Sequence, residues 1–177
     1  MSELKVNKVT PRSGTTVTIG DSGEHLALAG NIGLGGATPT TSGTGITFPA
    51  TASPSTDANT LDDYEEGTWT PTVTAQTGTL TTTTSSGTYT KIGKAVTVNF
   101  RIDLVNAGTG ADGLFVSNFP FAAATSNTLS GATREDQAVG FNITGSYVNS
   151  TQMIFSRDTT TLIGTGRGFS CCITYLT

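Results

Sequence analysis

Between residues 94 and 104 apolar and polar side chains alternate without a break. Val96, Val98, Phe100, Ile102 and Leu104 fall on one side, and Thr97, Asn99, Arg101 and Asp103 on the other. A period of two over that length specifies a strand with one buried and one wet face, because a helix brings together residues three and four apart. Strands of this kind belong to antiparallel sheets that face water on one side. The segment before it, Gly87-Thr88-Tyr89-Thr90-Lys91-Ile92, ends at Gly93-Lys94. That spacing predicts a hairpin with a tight turn.

Further strands are expected over 114–119, 137–144, 147–148 and 153–157 (the last two forming a hairpin over 149–152) and 168–176. In the final one Phe169, Cys171, Ile173 and Tyr175 share a face. About seven or eight short strands after residue 68 predict an antiparallel β-sandwich, jelly-roll-like in arrangement. Composition agrees. The chain holds 37 threonines, 15 serines and 22 glycines among 177 residues, and both Thr and Gly are poor in helix interiors. Thr suits a half-buried pleated surface, and Gly marks turns. A helical bundle is excluded.

The first 48 residues pose a different problem. Their apolar side chains come in pairs of the form apolar-x-apolar: Val17/Ile19, Leu26/Leu28, Ile32/Leu34 and Ile46/Phe48. Each pair fits one face of a very short strand. So few apolar groups cannot offset the backbone entropy of ordering, about 1–2 kcal/mol per residue. The segment either stays unfolded or buries its stripes against copies of itself, as stacked repeats do. The strict pattern favours three chains wound about a common axis, an intertwined trimeric β stem of the β-prism or triple-β-helix kind. The organisation expected is therefore an N-terminal docking and stem region (1–48), a Pro/Ser/Thr linker with a short helix (49–67) and a sandwich head (68–177). The helix prediction rests on Thr60 as N-cap, acids in the first turn and Gly67 as terminator.

Charge and motifs exclude more than they assign. The formal net charge is −4, with nine scattered Lys and Arg residues; a nucleic-acid surface needs those clustered. No run of apolar residues is long enough to cross a membrane as a helix. The first residues lack the apolar segment of a secretory signal, so retention in a cytoplasm, or export inside a virion, is expected. Cys171 and Cys172 are adjacent, and a bridge between neighbours is strained, so two reduced thiols are expected on opposite faces of a strand.

A single histidine, His25, lies far from the cysteines and from the head, which leaves a hydrolytic triad without a convincing base and zinc without a ligand set. Asp62, Asp63, Glu65 and Glu66 read either as favourable charge at a helix N-terminus or as oxygen ligands for a divalent cation. On one short helix they cannot face each other across a groove as glycosidase carboxylates do. The glycines of 30–36 lack phosphate-loop spacing. Asn142 and Asn149 begin chance glycosylation sequons. No catalytic, cofactor-binding or metal-binding residue is assigned, and no cofactor is expected. Binding remains: Tyr147, Asn149 and Gln152 form a candidate receptor-contact loop. Trp69 reads as a second exposed aromatic or, more simply, as a core anchor.

Three segments look familiar together. Ser2-Glu3-Leu4-Lys5-Val6-Asn7-Lys8-Val9, leading into Gly14-Thr15-Thr16-Val17-Thr18-Ile19-Gly20, resembles the opening of fibre and structural proteins of marine and cyanobacterial phages. The stretch from Phe48 to Thr72 is similar to the junction ahead of their C-terminal domains, and its run Leu61-Asp62-Asp63-Tyr64-Glu65-Glu66-Gly67-Thr68-Trp69-Thr70-Pro71 is the most specific part of the resemblance. Residues 87–98 resemble the hairpin that follows. Together they cover about a third of the chain. The resemblance implies a non-enzymatic homotrimeric tail fibre or virion fibre, assembled in the host cytoplasm. It implies docking on other virion proteins (a tail or head adaptor) through the N-terminus, and a head that meets a host-surface glycan or protein. A head-fibre or capsid decoration protein without a receptor role is the alternative. A depolymerising tailspike would need a long parallel β-helix that this length does not accommodate. The short stem departs from the long shaft common in such fibres.

Overall fold

The computed structural model describes residues 9, 13–14, 16–17, 28, 30–39, 42–52, 55–57, 59–124, 130–137, 146–148, 152–155 and 162–177. The chain is all-β and divides into two compact units, Met1–Thr47 and Phe48–Thr177.

In the first unit β1 (Ile32–Gly33) pairs in parallel with β2 (Ile46–Thr47), Ile32 opposite Ile46. Ile32 N–H donates to Gly45 O at 2.9 Å and Leu34 N–H to Thr47 O at 2.9 Å. Parallel neighbours cannot be joined by a tight hairpin. The chain returns through a loop in which Gly35, Gly36 and Gly43 hold positive φ, a conformation that costs other residues. Val17, Leu28, Leu34 and Ile46 are exposed by 40–55%; Ile32 and Phe48 are half-buried. Ile19 and Leu26 lie outside the described residues. Among the described residues the hydrophobic core lies at or beyond Trp69.

The second unit is built from two antiparallel sheets. The five-stranded sheet runs β3 (Tyr64–Trp69), β5 (Thr82–Ile92), β6 (Ala95–Asn106), β11 (Arg167–Leu176), β8 (Ser130–Glu135). The four-stranded sheet runs β4 (Thr72–Thr77), β7 (Ala111–Ser117), β10 (Gln152–Phe155), β9 (Ser146–Val148). The expected hairpin is present: β5 and β6 join through Gly93-Lys94, with Gly93 at φ 55°. The β9–β10 hairpin is present as well, Met153 opposite Val148. Of the strand expected over 137–144, Gln137 follows β8 as a bend, and 138–144 lie outside the described residues.

The inward side chains of β6, namely Val96, Val98, Phe100, Ile102 and Leu104, are at most 5% exposed. They meet Leu114 and Val116 of β7, Met153 and Phe155 of β10, and Phe169, Cys171, Ile173 and Tyr175 of β11 in one core. Phe100 stacks on Phe155 across the sheets at 6.2 Å between centroids. Trp69 closes one side, stacked on Phe119 at 5.1 Å and edge-on to Phe100 at 5.5 Å. It is a core anchor, not an exposed aromatic. Tyr175 seals the same side: its hydroxyl, pushed up to about 12 by burial, donates to Phe121 O at 3.0 Å.

The short helix predicted within 61–67 is corrected to strand. Tyr64 to Trp69 pair with Ile92 to Gly87 along β5. An isolated helix of one or two turns cannot offset its nucleation cost, whereas β5 offers a free edge and six residues of ladder. The features that mimicked a helix have strand roles. Asp63 forms an ion pair with Lys91. Glu65 Oε1 accepts from Tyr89 Oη at 2.5 Å. Gly67 makes room for the same tyrosine, whose hydroxyl would lie 2.8 Å from an added Cβ.

Gly87 is a second such position, beneath Trp69. A Cβ there would fall 2.4 Å from Trp69 Nε1 and 3.0 Å from Phe100 Cβ. Gly87→Ala is therefore expected to displace the only tryptophan and cost roughly 1–3 kcal/mol, as overpacking does. Urea unfolding followed by Trp69 fluorescence measures it; an unchanged midpoint would contradict the packing described.

Candidate functional site

Alternation that sends five side chains of β6 inward sends Thr97, Asn99, Arg101 and Asp103 outward. Register then assigns their neighbours. Asn99 lies between Thr88 of β5 and Cys172 of β11, and Arg101 between Ser86 and Ser170. Thr68 extends the first row through β3, and Ala132 through β8. The result is an open groove of about 820 Å³ on the outer face of the five-stranded sheet, whose outward-facing lining includes Thr68, Ser86, Thr88, Asn99, Arg101, Ser170 and Cys172. Short polar side chains line it together with Trp69 and Phe100, and among the described residues of its lining Arg101 is the one cation.

Arg101 is held, not free. Its Nε donates to Asp103 Oδ2 at 3.2 Å, and one terminal nitrogen donates to Asp136 Oδ2 at 3.0 Å and Ser170 Oγ at 3.1 Å. The other terminal nitrogen lies 2.8 Å from Asp103 Oδ1. Ser170 Oγ in turn donates to Asp136 Oδ2 at 2.6 Å. That hydroxyl, and then Arg101, hold the Asp136 carboxyl below its ordinary range. The bonds to Asp103 and Asp136 hold Arg101 above its own. Gly168 permits this arrangement, since a Cβ there would lie 2.4 Å from a guanidinium nitrogen and 2.8 Å from Asp103 Oδ1. The guanidinium is thus matched by two carboxylates. The groove offers oriented hydrogen-bonding groups without excess positive charge.

The cysteines divide as alternation predicts. Cys171 points into the core and Cys172 out into the groove, both as free thiols. Burial pushes the Cys171 thiol up to about 12. A thiol that is both buried and protonated does not react. In the native protein Cys172 alone is expected to react with a thiol-specific disulfide reagent, one equivalent per chain, rising to two after denaturation. Two equivalents before denaturation would contradict the placement.

The other sequence candidates separate. The four acids each have a partner within the chain: Ser55 N–H donates to Asp62 Oδ2 at 2.6 Å, Asp63 pairs with Lys91, Glu65 accepts from Tyr89, and Tyr64 Oη donates to Glu66 Oε2 at 2.7 Å. Glu65 and Glu66 occupy successive strand positions and so face opposite sides. Among the described residues no group of three or more His, Cys, Asp or Glu could hold a metal ion. Of the candidate receptor loop, Tyr147 stands within β9 and Gln152, half-buried, opens β10 opposite Ser117, one on each side of the connection between those paired strands. Asn149, Asn142 and His25 lie outside the described residues.

Sequence reasoning identified the wet side of 94–104 but not the groove. Its lateral neighbours come from β5 and β11, through pairings that no local pattern specifies. No protein-family model, curated protein or solved structure matches this chain.

Proposed function

We propose that this is a non-enzymatic structural protein of a virion, a homotrimeric phage fibre whose N-terminal region docks on another virion protein and whose head attaches to the host surface. One observation carries the reading most: one member of each apolar pair (Val17, Leu28, Leu34 and Ile46) lies exposed in a single chain, whereas the second unit holds a core of its own. A stem of that kind is stable only when copies cover its stripes, which agrees with an intertwined β stem. The resemblance to phage fibres supplies the context. The head is then a jelly-roll-like tip, and threefold repetition of a weak site raises its avidity through effective concentration.

The groove on the five-stranded sheet is the attachment site this reading favours, in place of the β9–β10 turn. Its hydroxyls, the Asn99 amide and the charge-balanced Arg101 suit a neutral, polyhydroxylated ligand such as envelope glycan. An anionic sugar would meet Asp103 and Asp136 beside the guanidinium. Carbohydrate recognition by hydrogen bonds from a rigid sheet face needs no movement of the backbone, in keeping with preformed sites.

Adsorption of the labelled full chain to a panel of bacterial cells tests this. Binding competed by neutral envelope glycan, and weakened at least about tenfold (~1.4 kcal/mol) by the groove-filling change Asn99→Trp, is the expected result. Binding indifferent to Asn99→Trp would move the site elsewhere. Release of reducing sugar from the envelope would overturn the non-enzymatic assignment.

A further inference from the structure

The row of side chains that crosses the groove is polar at one end and apolar at the other. Register aligns Thr68 of β3 with Thr88 of β5, Thr88 with Asn99 of β6, Asn99 with Cys172 of β11, and Cys172 with Ala132 of β8. All five are exposed, as outward alternation requires. Neighbours in the row stand one strand spacing apart, roughly 4.8 Å. Thr68 and Thr88 carry hydroxyls and Asn99 an amide. Among the described outward-facing residues of the lining, Cys172 and Ala132 are the two whose side chains hold neither oxygen nor nitrogen. One step along the strands, Arg101 and Ser170 are committed to Asp103, Asp136 and each other. The Asn99 amide is therefore the planar group that offers two donors and an acceptor to a ligand.

We infer that this row seats an N-acetyl amino sugar, its acetamido group paired with the Asn99 amide and its methyl laid over Cys172 and Ala132. The inference rests on the groove being the glycan site, and it names the sugar class that the groove selects. An amide pairs with an amide through two hydrogen bonds, each group serving as donor and acceptor, whereas a single ring hydroxyl matches less of Asn99. The neighbours set the direction. Towards β5 the row continues in hydroxyls, which suit the hydroxyls of a sugar ring. Towards β11 and β8 it continues in a thiol and a methyl. A thiol behaves as a small hydrophobe, and apolar surface laid on apolar surface leaves water. A methyl seated on Thr88 instead would strip water from a hydroxyl without replacing its hydrogen bonds. Charge agrees: a carboxylate or phosphate substituent would find the one guanidinium already matched by Asp103 and Asp136. A neutral planar group with a donor, an acceptor and a methyl at its far end satisfies the whole row.

Saturation-transfer NMR on the full chain tests this with methyl glycosides. N-acetylglucosamine and N-acetylgalactosamine are compared with glucose and galactose, which differ from them at C2 alone, and with rhamnose, whose methyl stands on the ring. The acetamido sugars are expected to bind at least about tenfold more tightly, with the acetyl methyl the most strongly saturated group. Asn99→Leu is expected to abolish that preference, and Cys172→Ser with Ala132→Ser to narrow it, while Trp69 fluorescence reports an intact head. Equal affinity for acetamido and hydroxyl sugars, a preference for rhamnose, or a preference that survives Asn99→Leu would overturn the acetamido seat and leave the groove as a glycan site. Saturation of no sugar in the panel would overturn both.

Discussion

The head depends on the pairing of β6 with β5 on one side and β11 on the other. Those two ladders fix which side of β6 is inside, and a shift of one residue would turn Phe100 and Ile102 to water and Arg101 to the core. The cost of such a slip is large on both counts. It would expose apolar side chains worth roughly 1.5–3 kcal/mol each and bury an unpaired charge. One register thus determines the core and the groove together. These are not separate inventions of the sequence but two consequences of a single alternation read across neighbouring strands.

Much of this was legible from local pattern. The alternation of 94–104, the turn at Gly93-Lys94 and the opposite facing of Cys171 and Cys172 all follow from a period of two. The errors share a cause. Residues 60–67 carry a Thr, several acids and a Gly in helix-like order, but helix signals are weak when summed over so few residues, and a vacant sheet edge overrode them. Strand β8 went unread because its inward positions, Thr133 and Glu135, are polar though buried. Its strand character comes from pairing with β11, not from its own composition. The groove was hidden for the same reason: Thr88, Asn99 and Cys172 are far apart in sequence and adjacent only through register.

The stem obeys the opposite logic. Among the described residues Val17, Leu28, Leu34 and Ile46 are exposed, and a two-residue parallel ladder cannot by itself offset the entropy of the loop it closes. Head and stem therefore differ in what stabilises them. The second unit holds its own core as a single chain, whereas in the proposed assembly the first relies on neighbouring copies. Threonine-rich surfaces serve both: they space the apolar stripes in one unit and supply the wet faces of amphipathic strands in the other.

The central claim is that copies of this chain complete what one chain leaves open. Light scattering coupled to size exclusion, on the full chain at low micromolar concentration, tests it most directly. The account predicts a mass three times the 18.1 kDa of a single chain, and a mass of one chain would contradict it.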